Sequence, residues 1–353
     1  MTSTVDVVRG HTVESRHRVS AAVVDAGGRL VACTGDPDLV TFWRSCAKPI
    51  QVLPLIEDGG ADALGITDAE VALACASHNG EPRHLAVATS LLEKAGCSET
   101  DLACGPHPSL SPAVAREMAE HGQKPRKLHS NCSGKHAAML ALARFHGWPP
   151  ADYRKPEHPV QRRLLDEAAA WTGVEKTKIG QGTDGCGVVS YALPLRSMAL
   201  AYARLGAGLG VGDWGLGRPE SHGLPTADSS TPNPHSPTPA SRVLRAIVAD
   251  PFLIAGTGRL CTEVIASSKG AVVAKVGADG VYCAAVPAAG LGLAMKVEDG
   301  DMDAARPALL ALLEILAPGA VRVADTFRSP GIRNTLGEEV GHLVARISLE
   351  RAG

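Results

Sequence analysis

The chain has 353 residues, 45% of them hydrophobic and only 3% aromatic, with a formal net charge of -2. This composition reads as globular protein, one large domain or two smaller ones sharing a cleft. Scattered Lys and Arg and few aromatics exclude a phosphate-tracking, base-stacking surface, and no apolar run reaches the ~18–20 residues that cross a bilayer.

The opening stretch, Met1 to Asp6, lacks the basic patch and apolar core of a secretory signal, so a cytoplasmic location is expected, with neither nucleic acid nor membrane as partner. Residues 18–33 predict a β-hairpin: a β-rich run Val19–Val24, turn residues Asp25 to Gly28, and a return over Arg29–Cys33. A turn-rich segment, Thr34 to Asp38, leads to Arg44-Ser45-Cys46-Ala47-Lys48, and the apolar run behind it predicts a helix from Ser45 to about Glu57. Ser45 and Lys48 then lie one turn apart on one face. A neutral lysine amine is a base for a hydroxyl nucleophile, but its ordinary pKa near ~10.4 requires desolvation or a second cation. The alternative is an N-cap serine with a solvated lysine.

Thr67-Asp68-Ala69-Glu70 carries a capping pattern for a second helix, which leads into Cys75-Ala76-Ser77-His78-Asn79-Gly80-Glu81. Ser77 is a candidate second nucleophile or proton relay in a cleft loop, and a helix-capping loop is the competing reading. Helices are expected over Leu85–Ala95, from Ser111-Pro112, over Ala137–Phe145 and from His158-Pro159 to near Gly173. Before the third of these stands Asn131-Cys132-Ser133-Gly134-Lys135-His136. Cys132 and Lys135 converge at a helix start, where a thiol tends towards the thiolate that binds metal or attacks carbonyls. A phosphate loop is rejected, because no glycine lies five residues before Gly134 and no strand precedes it.

Gly182-Thr183-Asp184-Gly185-Cys186-Gly187 is a glycine-dense turn that can carry Asp184 and Cys186 into a pocket, or serve as a plain connector. A helix over Val189–Leu205 is expected to follow it. Residues 206–240, rich in Pro, Gly, Ser and Thr, read as a surface loop within a single 1–353 catalytic domain. Helices resume at Ser241 and Arg259–Ser267, then strands over Ala271–Val276, Gly280–Ala284 and Gly292–Val297, and a last helix over Asp301–Leu316. Lys275 falls inside an apolar strand, where a charge without a role is costly. Strands at both ends with helices between them predict an α+β fold, one antiparallel sheet flanked by helices with a helical lobe. The nine cysteines, odd in number, are expected as free thiols.

Together these stretches resemble the Rhizobium-type (class 3, formerly thermolabile) L-asparaginase family. The matching residues are Glu14 to Arg18, Arg44 to Lys48, Cys75 to His78, Asn131 to His136, Asp184 to Gly187 and Ala274 to Gly277, in family order up to about residue 297. The resemblance implies a fold similar to serine β-lactamases and glutaminases, a homodimer, and hydrolysis of L-asparagine to L-aspartate and ammonia through an acyl-enzyme. It implies two Ser-Lys tandems, Ser45 with Lys48 and Ser77 with Lys275. It also implies one zinc ion on Cys132, Lys135 and Cys186, which requires a deprotonated lysine. Arg44 or Arg259 is expected to pair the substrate carboxylate, with Asp184 beside it, and Lys275 to supply the field that keeps Lys48 partly neutral. Two departures stand out: the long 206–240 stretch, and Cys46 where a second serine is common. The rival readings are a Ser-Lys amidase on glutamine or a β-lactam, a zinc-hydroxide hydrolase, and a non-catalytic metal or amino-acid binding protein.

Overall fold

The computed structural model describes residues 2–208 and 238–352. The expected loop over 206–240 therefore lies, apart from its two ends, outside the described residues; those ends belong to the helices Leu195–Ala207 and Pro239–Ala249.

A nine-stranded antiparallel sheet organises the chain. Its main path runs β10 (Gly331–Arg333), β11 (Glu339–Arg346), β1 (Thr4–Arg9), β2 (Thr12–Asp25), β9 (Leu291–Val297), β8 (Val281–Val286) and β7 (Val273–Val276), while β3 (Leu30–Thr34) pairs with β2 and β12 (Glu350–Arg351) with β3. The predicted hairpin is thus β2 and β3, with Ala22 opposite Cys33. Both ends of the chain enter one α+β sheet, as expected, and Val5 pairs with Ala345. Strand β2 is 14 residues long because its first half lies on β1 and its apolar second half lies between β9 and β3.

The helix Leu195–Ala207 crosses the sheet at closest approach over Gly292, where a Cβ would stand 2.0 Å from Ala199 O. Met302–Leu316 packs nearby, and its Leu309, Leu312 and Leu313 are fully buried. Asp68–Ala74, Pro82–Lys94, Ser133–Phe145 and Pro159–Thr172 form the helical lobe. Gly134 brings two of these into contact, since a Cβ there would lie 2.3 Å from Leu73 O.

Two local expectations need correction. The helix expected over Val189–Leu205 is a strand, β6 (Val189–Pro194), followed by the helix from Leu195. The β-branched and aromatic residues Val189 and Tyr191 favour a pleated surface, and Pro194 closes the strand. With β4 (Val40–Phe42) and β5 (Gly180–Thr183), β6 makes a second, three-stranded sheet in the order β4-β6-β5. Similarly, the single helix expected from Ser45 to Glu57 is a 3-10 turn, Arg44–Ala47, then two short helices, Lys48–Gln51 and Leu53–Glu57. Pro49 and Pro54 lack an N–H, so each sits in a first turn and starts a new helix.

Candidate active site

Four segments meet at one end of the sheet: the Arg44–Lys48 turn, the Ser77 loop, the start of the helix Ser133–Phe145, and β7. The Ser77 loop is held on both sides by backbone bonds, Ser77 N to Ile254 O at 2.9 Å and Asn79 N to Ala255 O at 2.9 Å. His78 fixes the same loop internally. Gly80 N donates to its Nδ1 at 3.0 Å, which leaves the proton on Nε2, 2.9 Å from Ser133 Oγ. Burial holds the imidazole neutral, well below its usual range, so His78 positions rather than transfers protons.

Ser77 Oγ receives two amines, Lys275 Nζ at 2.8 Å and Lys48 Nζ at 3.1 Å. Lys48 also reaches Ala76 O and, at 3.4 Å, Asn131 O; Lys275 reaches Val276 O at 2.9 Å. Lys48 is 1% exposed and Lys275 2%, with no carboxylate paired to either among the described residues. Burial, and then the nearby charge of Lys48, bring Lys275 down to about 8. Ser45, half-buried on its turn, has no side-chain hydrogen bond among the described residues, and the Lys48 amine is hydrogen-bonded to Ser77. Cys46 is fully buried, its Sγ 3.0 Å from Lys275 O.

Arg44 holds the turn. Its backbone is left-handed, at φ 54, and its guanidinium pairs with Asp184 at 3.0 Å and Asp279 at 2.5 Å. Asp279, also left-handed at φ 54, offers its carbonyl to the buried Lys296 at 2.8 Å. Asp279 as a partner of Arg44 carried no sequence signal, while Lys296, a lysine within the apolar strand β9, shows the same pattern as Lys275. Arg259 NH1, in contrast, donates to the neutral Asn79 Oδ1 at 2.8 Å.

The residues expected to ligate zinc are brought together. Lys135 Nζ stands 3.1 Å from Cys186 Sγ and 3.7 Å from Asp184 Oδ2, and Cys132 adjoins Cys186. The hydrogen bond with Cys132, aided by the charge of Lys135, draws Cys186 down to about 6 against the effect of burial. The same bond and burial push Cys132 up to about 12. Although burial opposes it, the charges on Cys186, Cys132 and Asp184 raise Lys135. Two sulfurs suit zinc, whereas the raised Lys135 runs against the depressed amine that ligation needs; a metal here would have to take the place of protons on Cys132 and Lys135. Among the described residues no group of three or more His, Cys, Asp or Glu side chains is arranged for a metal.

Residues 5–345 match the family described as L-asparaginase II. No curated protein matches the chain. Among solved structures it is similar to a crystal structure of Mglu in its native form in 4.3 M NaCl, at 16% identity over 85% of this chain and 60% of that one, with a TM-score of 0.37. A second crystal structure of Mglu has 14% identity over 88% of this chain and 69% of that one, with a TM-score of 0.37. A mutant of the simvastatin synthase LovD from Aspergillus terreus has 11% identity over 79% and 84%, with a TM-score of 0.29. The chain thus spans 60% of the length of the first of these.

Proposed function

The chain belongs to the L-asparaginase II family of amide hydrolases, and from that premise we propose that it hydrolyses L-asparagine to L-aspartate and ammonia through a serine activated by paired lysines. The observation that carries this reading is Ser77 Oγ, hydrogen-bonded to both Lys48 and Lys275. Lys275, near 8, is the amine able to be neutral at working pH. A neutral Lys275 takes the Ser77 hydroxyl proton, and Ser77 takes one from Lys48. Lys48 is left as a neutral amine one turn from Ser45. Ser45, the more accessible hydroxyl, attacks the side-chain amide carbon and passes its proton to Lys48. That proton goes to the leaving nitrogen, ammonia departs, and water cleaves the ester by the same route in reverse.

A second reading, in which Ser77 itself is acylated, is favoured by its direct bond to Lys275 at 2.8 Å. Zinc belongs to the same proposal: Cys132, Lys135 and Cys186 would hold it, and when bound it would supply a positive charge for orienting the substrate's polar end. We also place the protein in the cytoplasm as a homodimer, a setting that suits its nine free thiols. Among the described residues no helix is long and apolar enough to cross a membrane.

The test is ammonia release from L-asparagine by the wild type, Ser45→Ala and Ser77→Ala, with intact-mass detection of the trapped acyl-enzyme. An acyl adduct on the wild type that is lost in Ser45→Ala and maps to the Ser45 peptide supports Ser45 as nucleophile. An adduct that persists in Ser45→Ala moves the ester to Ser77. Inert wild type with both asparagine and glutamine would refute the assignment.

A further inference from the structure

Two arginines are candidates for the substrate's anionic end, and their surroundings differ in kind. Arg44 is bound by two carboxylates, Asp184 and Asp279. Arg259 has none: among the described residues its side chain meets only the neutral amide oxygen of Asn79. Asn79 follows Ser77 by two residues, a span of at most ~7 Å of chain.

Glu81, the acid on the other side of Asn79, is fully engaged elsewhere. Its carboxylate accepts Thr257 N at 2.8 Å, Thr257 Oγ1 at 2.8 Å and Asn79 Nδ2 at 3.1 Å. Asn79 therefore stands between acid and base, its amide nitrogen towards Glu81 and its oxygen towards Arg259. The loop carrying Arg259 is pressed onto this network at Gly256, φ +107, where a Cβ would lie 2.4 Å from Glu81 Oε1. A half-buried guanidinium, fixed in place and facing a neutral acceptor, keeps its charge and several N–H donors for an anion. That charge also adds to the depression of Lys275 and His78.

We propose that Arg259, not Arg44, receives the anionic end of the substrate. This rests on the amide-hydrolase reading above. It deepens that reading by choosing between two residues that the sequence left equivalent. Arg44 is then a positioning residue that ties the Ser45 turn to the Asp184 loop.

The experiment compares ammonia release from L-asparagine and from 3-aminopropanamide, which is the same amide without its carboxylate. It runs wild type, Arg259→Gln and Arg259→Lys, with L-aspartate binding followed by calorimetry. Wild type should prefer asparagine strongly. Arg259→Gln should narrow that preference roughly 10- to 100-fold, chiefly through KM, and weaken aspartate binding by a similar factor. Arg259→Lys should recover part of both. A preference and an aspartate affinity left intact in Arg259→Gln overturn the proposal. If Arg259→Gln does not fold, a wild type that fails to distinguish the two amides overturns it equally. Arg259-dependent aspartate binding by a protein that turns over neither amide would sustain this inference while the hydrolase reading fell.

Discussion

Lys48 Nζ lies 3.1 Å from Ser77 Oγ, on a residue 29 positions away in sequence, and makes no hydrogen bond to Ser45 three positions before it. Lys48 and Lys275 thereby share one hydroxyl, and the proton inventory of the site belongs to all three groups together.

Removing either amine should therefore disable the pair. Lys275→Met and Lys48→Met should each lower kcat by roughly 10²–10⁴, the usual scale of general acid–base catalysis. Far-UV circular dichroism should remain that of the wild type. Near-normal turnover in both variants would exclude the shared-hydroxyl arrangement from the reaction.

The position of Lys275 at about 8 also sets a pH dependence. Activity should rise with pH, with its midpoint near 8, as the amine loses its proton. Stability follows the same group. Between about 8 and the ordinary 10.5, the folded chain has released a proton that the unfolded chain still holds, so stability climbs with pH across that window. Below it, the fold carries the cost of a buried ammonium, on the order of a few kcal/mol. Lys275→Met should thus be more stable than wild type at pH 7, and urea titrations at pH 7 and 9 should show the advantage shrinking.

Arg44 occupies the left-handed region at φ 54, at a cost of order 1–3 kcal/mol that glycine avoids. Arg44→Gly and Arg44→Ala both lose the ion pairs to Asp184 and Asp279, yet the glycine variant should be more stable by about 1 kcal/mol. Equal denaturation midpoints would mean that the turn relaxes once the guanidinium is gone.

Gly292 lies under the backbone of the helix Leu195–Ala207, with no room for a Cβ. Gly292→Ala should destabilise the protein by roughly 1–3 kcal/mol or more, since it must lift that helix from β9. Thermal melts of this variant should fall well below those of a surface control such as Gly122→Ala, where nothing lies within 4 Å of the added atom apart from its own left-handed backbone strain.

For the metal, elemental analysis of the purified protein is expected to find about one zinc per chain, with Cys132→Ala and Cys186→Ala losing it. A Cys132→Ala variant that keeps its full zinc content would place the ion elsewhere.

Much of this arrangement was legible in the sequence because its signals are local. The turn at Asp25 to Gly28 marks the β2–β3 hairpin, and the Thr67 capping box stands where the pattern put it. A lysine in an apolar strand marked Lys275 as a position needing a reason. What stayed hidden was set by tertiary contact. Nothing around Lys48 says that its amine turns towards Ser77, because that direction follows from where the helical lobe seats the Ser77 loop against Ile254 and Ala255. The strands of the second sheet were missed for a related reason: four- to six-residue segments such as β5 and β6 carry too little periodicity to be told from a helix start. Nor does sequence spacing reveal which arginine meets carboxylates and which does not.

The long strand β2 has a consequence for biosynthesis. Its partners lie far along the chain, Ala22 opposite Ala294, and the adjoining β1 puts Val5 opposite Ala345. An emerging polypeptide cannot close this sheet until its last strands have left the ribosome, and contacts of such separation form slowly. Until then the apolar half of β2, paired on one side by β3, presents its other edge to other nascent chains. Lys275 and Ser77 can meet only once that late closure brings β7 to the helical lobe, so the onset of activity during synthesis would mark the completion of folding.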